Sequence, residues 1–345
     1  MQSLIDRKPL VVTMGDPAGI GPEIIASAML ERVDLMSRVV IAGDMQVLQI
    51  AGDVVASVKG SAPPEWTLLR DLASWRPRPG SVAVVQACDP VKDLVLGRVS
   101  ASAGHAAAQC IEWAARAVLN RRTSALVTAP VHKEALAAAG VVHPGHTEYL
   151  QALAAEYQGV AVEAMPVRMM LSCPSLRTVL VSIHVSLREA IAAVTAAQVL
   201  QTLGITAAHF RRMGMPRARI AVAGLNPHAG EGGLFGREEI EVIAPAVERA
   251  RAEGLEVVGP LAPDTVFMRA RRGEFDVVIA MYHDQGLIPV KLMGLDDGVN
   301  TTLGLPFTRT SPDHGTAFDL AGSGQASPSS LLAAIDAAQS MNMEA

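Results

Sequence analysis

Three histidines each follow a run of apolar residues that favours a β-strand. The run "TVLVSI" precedes His184, "RIAVAGLNP" precedes His228 and "FDVVIAMY" precedes His283. Ligands of α/β sheets gather at the carboxyl ends of strands, so three histidines at three such ends can converge on one point. Three neutral imidazoles would hold a divalent ion and leave coordination positions open, as in catalytic metal sites. A lone histidine at a strand end is more often structural, and the separations of 44 and 55 residues match no short metal motif.

Two aspartates accompany these histidines. Asp284 follows His283 directly, and Asp264 lies in the segment "APDT". Either carboxylate can act as a general base or can orient a histidine by a hydrogen bond. Either can equally be an ordinary cap or turn residue. The glycine-rich segment 226–233, "NPHAGEGG", lets the backbone approach a ligand closely. These residues indicate a metal-assisted site and leave the base unassigned.

The elements that would position these residues alternate between strands and helices. Eight short apolar runs predict strands, which are "LVVTM", "RVVIAG", "SVAVVQA", "SALVTA", "VRMMLS", "LRTVLVSI", "RIAVAGL" and "FDVVIAMY". Six longer segments predict helices, which are "IGPEIIASAMLE", "SAGHAAAQCIEWAARAVLN", "TEYLQALAAEY", "AAQVLQTLGITAAHFRRM", "EEIEVIAPAVERARAEG" and "SSLLAAIDAAQSM". Continuously apolar strands are typical of a parallel sheet covered on both faces. The predicted class is therefore α/β, with irregular structure over residues 60–80.

Composition limits the classes of function. The 345 residues are 50% hydrophobic and 18% charged with a net charge of −5, which suits one large or two medium domains. The chain has no basic cluster of the kind that binds nucleic acid. Its first ten residues lack a signal-peptide core, and no run reaches the ~18 apolar residues of a membrane helix, so we expect a cytoplasmic protein. Three scattered cysteines, Cys88, Cys110 and Cys173, predict reduced, buried thiols.

The segment "TMGDPAGIGPE", residues 13–23, looks like the phosphate loop of a dinucleotide-binding domain. That fingerprint requires G-x-G-x-x-G/A and an acidic residue about twenty positions later, where this chain has Asp44. The glycines are Gly15, Gly19 and Gly21, which is the wrong spacing, and Pro22 follows them. A strand-to-helix turn with Pro22 near the start of the helix explains the segment better than a Rossmann site.

Several long segments identify a resemblance. "GLNPHAGEGG", "MYHDQGLIPVK", "GVNTTLGLPFTRTSPDHGTAFDLAG", "APVHKEAL" and "PGHTEYL" resemble the 4-hydroxythreonine-4-phosphate dehydrogenase family of vitamin B6 biosynthesis. The resemblance covers essentially the whole chain. It implies a homodimer that depends on a divalent metal (Zn, Mg or Co) and NAD(P). It also implies a two-domain α/β/α fold like that of isocitrate and isopropylmalate dehydrogenases, not a Rossmann fold. The expected outer domain comprises residues 1–134 plus 305–345, and the central domain, with the metal ligands and the dimer interface, comprises residues 135–304.

The resemblance also assigns site residues. It implies that the metal ligands are His184, His228 and His283, with one of them contributed across the dimer interface. The substrate-binding residues it implies are His146, Thr147, Lys291, Asn300 and Arg309. The segment 313–322, "DHGTAFDLAG", resembles the loop on which isopropylmalate dehydrogenases bind the adenosine half of NAD. The implied cofactor residues are His314, Gly315, Asp319 and Leu320. A carboxylate at Asp319 would meet the ribose hydroxyls and repel a 2′-phosphate, so NAD is expected before NADP.

The implied reaction is oxidation of 4-phosphooxy-L-threonine at C3. The product, 2-amino-3-oxo-4-(phosphooxy)butanoate, would lose CO2 to give 3-amino-2-oxopropyl phosphate. Relatives that oxidise threonate or erythronate 4-phosphate, or an aromatic cis-dihydrodiol dicarboxylate, are the alternatives. The segment "GHTE" with Asn300 and Arg309 favours a phosphorylated substrate, and nothing decides between an amino group and a hydroxyl at C2. A non-catalytic metal- or phosphate-binding protein and a phosphoacyl transferase are hypotheses from other classes.

Overall fold

The structure is a computed structural model that describes residues 8–143, 145–294 and 297–342. It divides into two compact units. The first unit comprises the described residues of Met1–Pro166 together with Leu305–Asn342, and the second comprises those of Val167–Gly304. The prediction assigned residues 135–166 to the central domain, whereas the structure groups them with the first unit. The reason is that the helix at His146–Gln158 packs on the helix at Ala101–Leu119. Most of the N-terminal segment considered above for a signal peptide lies outside the described residues.

The described part of the first unit contains a six-stranded parallel sheet. Its strands are β1 (Leu10–Thr13), β2 (Val39–Gly43), β3 (Glu65–Leu69), β4 (Ser81–Gln86), β5 (Leu126–Thr128) and, after the chain returns, β12 (Arg309–Pro312). They pair in the order β3-β4-β2-β1-β5-β12. β1, β2 and β5 are buried along their whole length, as expected of strands covered by helices on both faces.

The helices of the first unit connect these strands. They are α1 (Gly21–Glu31), α2 (Met45–Lys59), α3 (Ala101–Leu119), α4 (Lys133–Ala138), α5 (His146–Gln158) and α11 (Ser329–Asn342). Asp44 is the N-cap of α2, where its carboxylate accepts a hydrogen bond of 3.0 Å from the Val47 amide. Gly60 ends the same helix in the left-handed conformation. The acidic residue that resembled a ribose ligand therefore has a structural role.

The described part of the second unit contains a mixed sheet. Its strands are β6 (Arg168–Cys173), β7 (Leu176–Leu180), β8 (Ile220–Ala223), β9 (Val257–Leu261), β10 (Val277–Ala280) and β11 (Val299–Leu303), in the order β11-β6-β7-β10-β8-β9. β6 runs antiparallel to both of its neighbours, whereas β7, β10, β8 and β9 are parallel. The helices are α6 (Leu187–Ala193), α7 (Ala196–Arg212), α8 (Ala244–Ala252), α9 (Pro263–Arg271) and α10 (His283–Met293).

The predicted α/β class is confirmed, and each predicted strand and helix corresponds to one in the structure. The opening segment is a strand-to-helix turn between β1 and α1, with Pro22 in the first turn of α1. The three cysteines are free and buried. The prediction of irregular structure over residues 60–80 was wrong in part, because β3 lies there. β3 is an edge strand with partly exposed side chains, so it lacks the apolar run that marks a buried strand.

No single helix among the described residues has the length and apolar character to cross a membrane. The pair α6 and α7 meets the criterion when taken together, but the two helices are bent by 83° at their junction.

Helix α7 buries a histidine whose protonation should affect stability. His209 is 5% exposed, and its Nε2 atom has no hydrogen-bond partner among the described residues. Burial and the charges of Arg212 and Arg177 lower the pKa of His209 to about 4. The unfolded chain, with an ordinary histidine pKa of ~6.5, therefore binds the proton first as the pH falls. The contribution of neutral His209 to the unfolding free energy is therefore complete above about pH 6.5. It is lost as the pH falls toward about 4, the pKa of His209 in the folded protein.

We therefore expect the wild-type protein to lose about 2 kcal/mol more unfolding free energy between pH 7 and pH 5 than His209→Leu does. Urea denaturation at both pH values measures this difference. His105→Leu, which replaces an exposed histidine of α3, should keep the wild-type pH dependence. If the stability of His209→Leu depends on pH in the same way as that of the wild-type protein, the pKa of His209 is not lowered by folding.

Candidate functional site

The three strands that precede the candidate metal ligands are neighbours in the second unit. β7, β10 and β8 are adjacent and parallel, so His184, His283 and His228 leave the sheet at the same edge. The rings of His184 and His283 lie with their centroids 5.7 Å apart and their planes at 44°. Both line a cavity of about 320 Å³ together with Tyr282 and Asp284. The sheet topology thus brings two of the three histidines together.

An aspartate contacts one histidine of this pair. His283 is the first residue of α10, and its Nδ1 atom lies 2.6 Å from Oδ1 of Asp284. Such a contact fixes the ring and leaves the Nε2 atom as the one that faces a ligand. Asp264 is exposed in the first turn of α9, which packs beside the turn that carries His228. The geometry thus places Asp284 where it can orient His283, and leaves Asp264 accessible.

His228 lies in a strained turn, Pro227–Gly233, in which residues 228–232 all adopt left-handed backbone angles. Three of these five are not glycine, namely His228 (φ 52°), Ala229 (φ 54°) and Glu231 (φ 42°). Such strain persists only where the surroundings fix it, and it concentrates at functional sites. The Nδ1 atom of His228 lies 3.1 Å from Oε2 of Glu231. Within the described residues, no three His, Cys, Asp or Glu side chains are arranged to hold a metal.

A buried glutamate holds this turn in place. Glu239 is 2% exposed, and its Oε1 atom accepts hydrogen bonds of 2.7 Å from the amides of Leu225 and Asn226. Its Oε2 atom accepts another, of 2.9 Å, from the Asn226 side chain. A Cβ atom on Gly230 would come within 2.7 Å of the same carboxylate, so the glycine is needed for close approach. Sequence reasoning missed Glu239, because "REEIEV" reads as the exposed face of a helix.

The other predicted residues of the second unit lie on α10 and β11. Lys291 is half-buried in the last turn of α10, the helix that begins at His283. Asn300 is half-buried on β11, opposite Leu171 of β6. One helix therefore carries a candidate metal ligand and a candidate anion-binding cation.

The predicted substrate residues of the first unit form a partly buried polar group, in which Arg309 is buried and His146 and Thr147 are half-buried. His146 and Thr147 open α5, and Arg309 of β12 is 3% exposed and donates a 2.7 Å hydrogen bond to Thr128 Oγ1. Burial lowers the pKa of Arg309 to about 10, against the opposing effect of Glu148. Burial and then the charge of Arg309 hold the pKa of His146 well below its usual range. The group is thus a charged arginine and a neutral histidine at a helix N-terminus, which suits an anion such as a phosphate ester.

The predicted cofactor residues lie on the segment between β12 and α11. The side chains of His314, Asp319 and Leu320, and the backbone of Gly315, are exposed to solvent. The segment packs on the opening turn, where the Ile20 amide donates a 3.0 Å hydrogen bond to the Thr316 carbonyl oxygen. The Phe318 ring stacks on His132 at 4.7 Å between centroids. The opening motif and the segment that carries the predicted cofactor residues, about 300 residues apart in sequence, are therefore in contact.

Comparison with known proteins decides the family. The model of the family described as "Pyridoxal phosphate biosynthetic protein PdxA" matches residues 34–338. The chain belongs to the PdxA family. The family predicted from the sequence motifs is thus confirmed.

Relatives within the PdxA family carry two kinds of name. The chain is 51% identical over 331 residues to "4-hydroxythreonine-4-phosphate dehydrogenase" from Beijerinckia indica, covering 95% of this chain and 93% of the relative. It is 42% identical over 341 residues to "D-threonate 4-phosphate dehydrogenase" from Salmonella typhimurium, covering 98% and 100%. A crystal structure of the Klebsiella pneumoniae 4-hydroxythreonine-4-phosphate dehydrogenase matches with a TM-score of 0.87 at 42% identity, over 99% of this chain and 100% of that one.

Proposed function

We propose that this member of the PdxA family is an NAD-dependent dehydrogenase that oxidises 4-phosphooxy-L-threonine at C3. The product, 2-amino-3-oxo-4-(phosphooxy)butanoate, loses CO2 to give 3-amino-2-oxopropyl phosphate in vitamin B6 biosynthesis. The observation that carries the proposal is the 51% identity, over 95% of the chain, to a relative named for this activity. The charge and burial of the candidate site residues agree with a small anionic substrate.

The proposed substrate residues supply groups that suit a phosphorylated amino acid. In the first unit, Arg309 provides a fixed positive charge, and His146 and Thr147 add donors at the N-terminus of α5. The Nε2 atom of His146 is buried without a hydrogen-bond partner among the described residues, which is costly unless a ligand supplies one. In the second unit, Lys291 and Asn300 provide a cation and a neutral amide.

The proposed metal ligands are His184, His228 and His283. Of the three expected ions, Zn and Co suit these three imidazole nitrogens, whereas Mg prefers oxygen ligands. Bound there, such an ion would polarise the oxygen that is oxidised and stabilise negative charge on it. Asp284 would orient His283 by its contact with Nδ1. Either Asp264, from its exposed position, or Asp284 itself would accept the proton. His184 and His283 are adjacent. As the family resemblance implies, the proposal includes one ligand from a second copy of the chain.

The proposed cofactor is NAD, held by the exposed segment with His314, Gly315, Asp319 and Leu320. It would accept the hydride removed from C3. Asp319 offers a carboxylate to ribose hydroxyls and disfavours the extra phosphate of NADP, so NADP would serve as the poorer cofactor.

The proposed assembly is a homodimer. Large apolar side chains are exposed in the second unit, and Leu292 of α10 is 83% exposed. Further examples are Leu187, Ile191, Leu234, Phe235 and Ile288. A second copy of the chain would cover such residues. Light scattering should give twice the chain mass of 36.2 kDa, and a mass of one chain would contradict the proposal.

The experiment that tests the proposed reaction compares NADH formation on three classes of substrate, each with and without a chelator. We expect kcat/KM for 4-phosphooxy-L-threonine to exceed that for threonate 4-phosphate by at least about tenfold, the size of discrimination that a single group supplies. No activity is expected on an aromatic cis-dihydrodiol dicarboxylate. The chelator should abolish turnover, and metal addition should restore it.

The results also decide between the alternatives. A preference for threonate 4-phosphate would place the chain with its 42% identical relative of that name. Turnover that resists chelation would contradict the three-histidine assignment. No NADH with any of these substrates would contradict a dehydrogenase function.

A further inference from the structure

The buried carboxylate of Glu23 is unexplained by the roles assigned so far. Glu23 lies in the first turn of α1 and is 4% exposed. Its two oxygens each accept a hydrogen bond from the segment beyond Asp319. The amide of Gly322 donates to Oε1 at 2.5 Å, and the amide of Gly324 donates to Oε2 at 2.7 Å. One side chain thus holds two backbone groups about 300 residues away in sequence.

Close backbone contacts support the same segment at a second point. A Cβ atom on Gly19 would come within 2.9 Å of both the carbonyl oxygen and the Cβ atom of Thr316. The Ile20 amide donates its hydrogen bond to that carbonyl oxygen. Residues 316–324, which we call the cofactor segment, are therefore attached to the opening turn at Thr316 and to α1 at Gly322 and Gly324. Asp319 and Leu320 lie exposed between these attachments.

We propose that Glu23 is a positioning residue that orders the cofactor segment so that Asp319 is presented to the NAD ribose. The inference rests on the proposed function, since it takes the cofactor to be NAD. Charged acceptors make the stronger hydrogen bonds, and a buried amide left without its acceptor is costly, so the segment keeps one conformation while the carboxylate is present. A segment that is already ordered loses less conformational entropy when NAD binds, so the affinity for NAD is higher.

The test replaces Glu23 with glutamine, which has the same shape but can accept from only one of the two amides through its single oxygen. Hydrogen exchange of residues 316–324, followed by mass spectrometry on the cofactor-free protein, should become about 10- to 100-fold faster. The KM for NAD should rise by a similar factor. The kcat at saturating NAD and the KM for the phosphorylated substrate should stay within about threefold of wild type, because Glu23 acts only through the segment.

Two further variants complete the design. Glu31→Gln removes an exposed carboxylate of the same helix, which pairs with Lys59, and should change neither exchange nor the KM for NAD. Gly19→Ala displaces the cofactor segment at Thr316 while leaving Glu23 intact. It should also make hydrogen exchange of residues 316–324 faster and raise the KM for NAD. If Glu23→Gln fails to fold, Gly19→Ala provides the test.

The outcomes separate this inference from the proposed function. Unchanged exchange in Glu23→Gln would overturn the positioning role. Faster exchange with an unchanged KM for NAD would show that the segment is held by Glu23 but does not bind the cofactor, which also overturns the inference. If the wild-type protein forms no NADH with any substrate, the proposed function fails. NADH binding, followed by its fluorescence, then decides whether Glu23→Gln weakens cofactor affinity.

Discussion

Replacing His283 with alanine should reduce kcat/KM by about 100- to 1000-fold and remove the bound metal. A divalent ion acting as a Lewis acid contributes several kcal/mol to the stability of the transition state, and ~3–4 kcal/mol corresponds to this factor. The variant would leave His184 without the ring that lies 5.7 Å from it. Metal content by mass spectrometry and initial rates over a range of metal concentrations measure both effects.

A matched variant and two aspartate variants sharpen this test. His105→Ala removes an exposed histidine of α3 and should leave rate and metal content unchanged. Asp284→Asn should weaken metal binding about 10- to 100-fold if the aspartate orients His283. Asp264→Asn should instead lower kcat with normal metal binding if that residue accepts the proton. Full metal content and full activity in His283→Ala would exclude the histidine from the site.

Replacing Arg309 with methionine should raise the KM for the phosphorylated substrate by about 100-fold or more. Losing one partner of a buried charge-assisted interaction costs about 2–5 kcal/mol, because the other charge is left unpaired. Arg309→Lys should recover only part of the loss, since an ammonium lacks the planar fork that matches a phosphate. Initial rates over substrate concentration, with saturating NAD and metal, give the comparison.

Arg168 provides a control for the loss of an arginine that is held by hydrogen bonds within the protein. It is half-buried and donates hydrogen bonds of 2.8 Å to Thr202 and Gln201, and burial lowers the pKa of its guanidinium. Arg168→Met should reduce the thermal unfolding midpoint without raising the KM. An equal increase in KM in the two variants would mean that Arg309 acts through stability and does not contact substrate.

The positions of the candidate residues were only partly predictable. The apolar runs before His184, His228 and His283 predicted three strand ends, and the structure bears out those strands. The adjacency of β7, β10 and β8 was not predictable, since strand order depends on contacts between distant segments. The strained backbone around His228 also gave no signal beyond its glycines.

The α/β class, the family and most of the strands and helices could be predicted from the sequence alone. Apolar runs, helix caps and long motifs are local features, and local features are readable without a structure. What holds the cofactor segment and the turn at Pro227–Gly233 in place is visible only in the folded protein. Glu23 reaches Gly322 and Gly324, and Glu239 reaches Leu225 and Asn226, through hydrogen bonds that leave no periodic trace in the sequence. From sequence alone, a glutamate in a helix is expected to be exposed. It can be buried only where the fold places hydrogen-bond donors, here backbone amides, against its carboxylate.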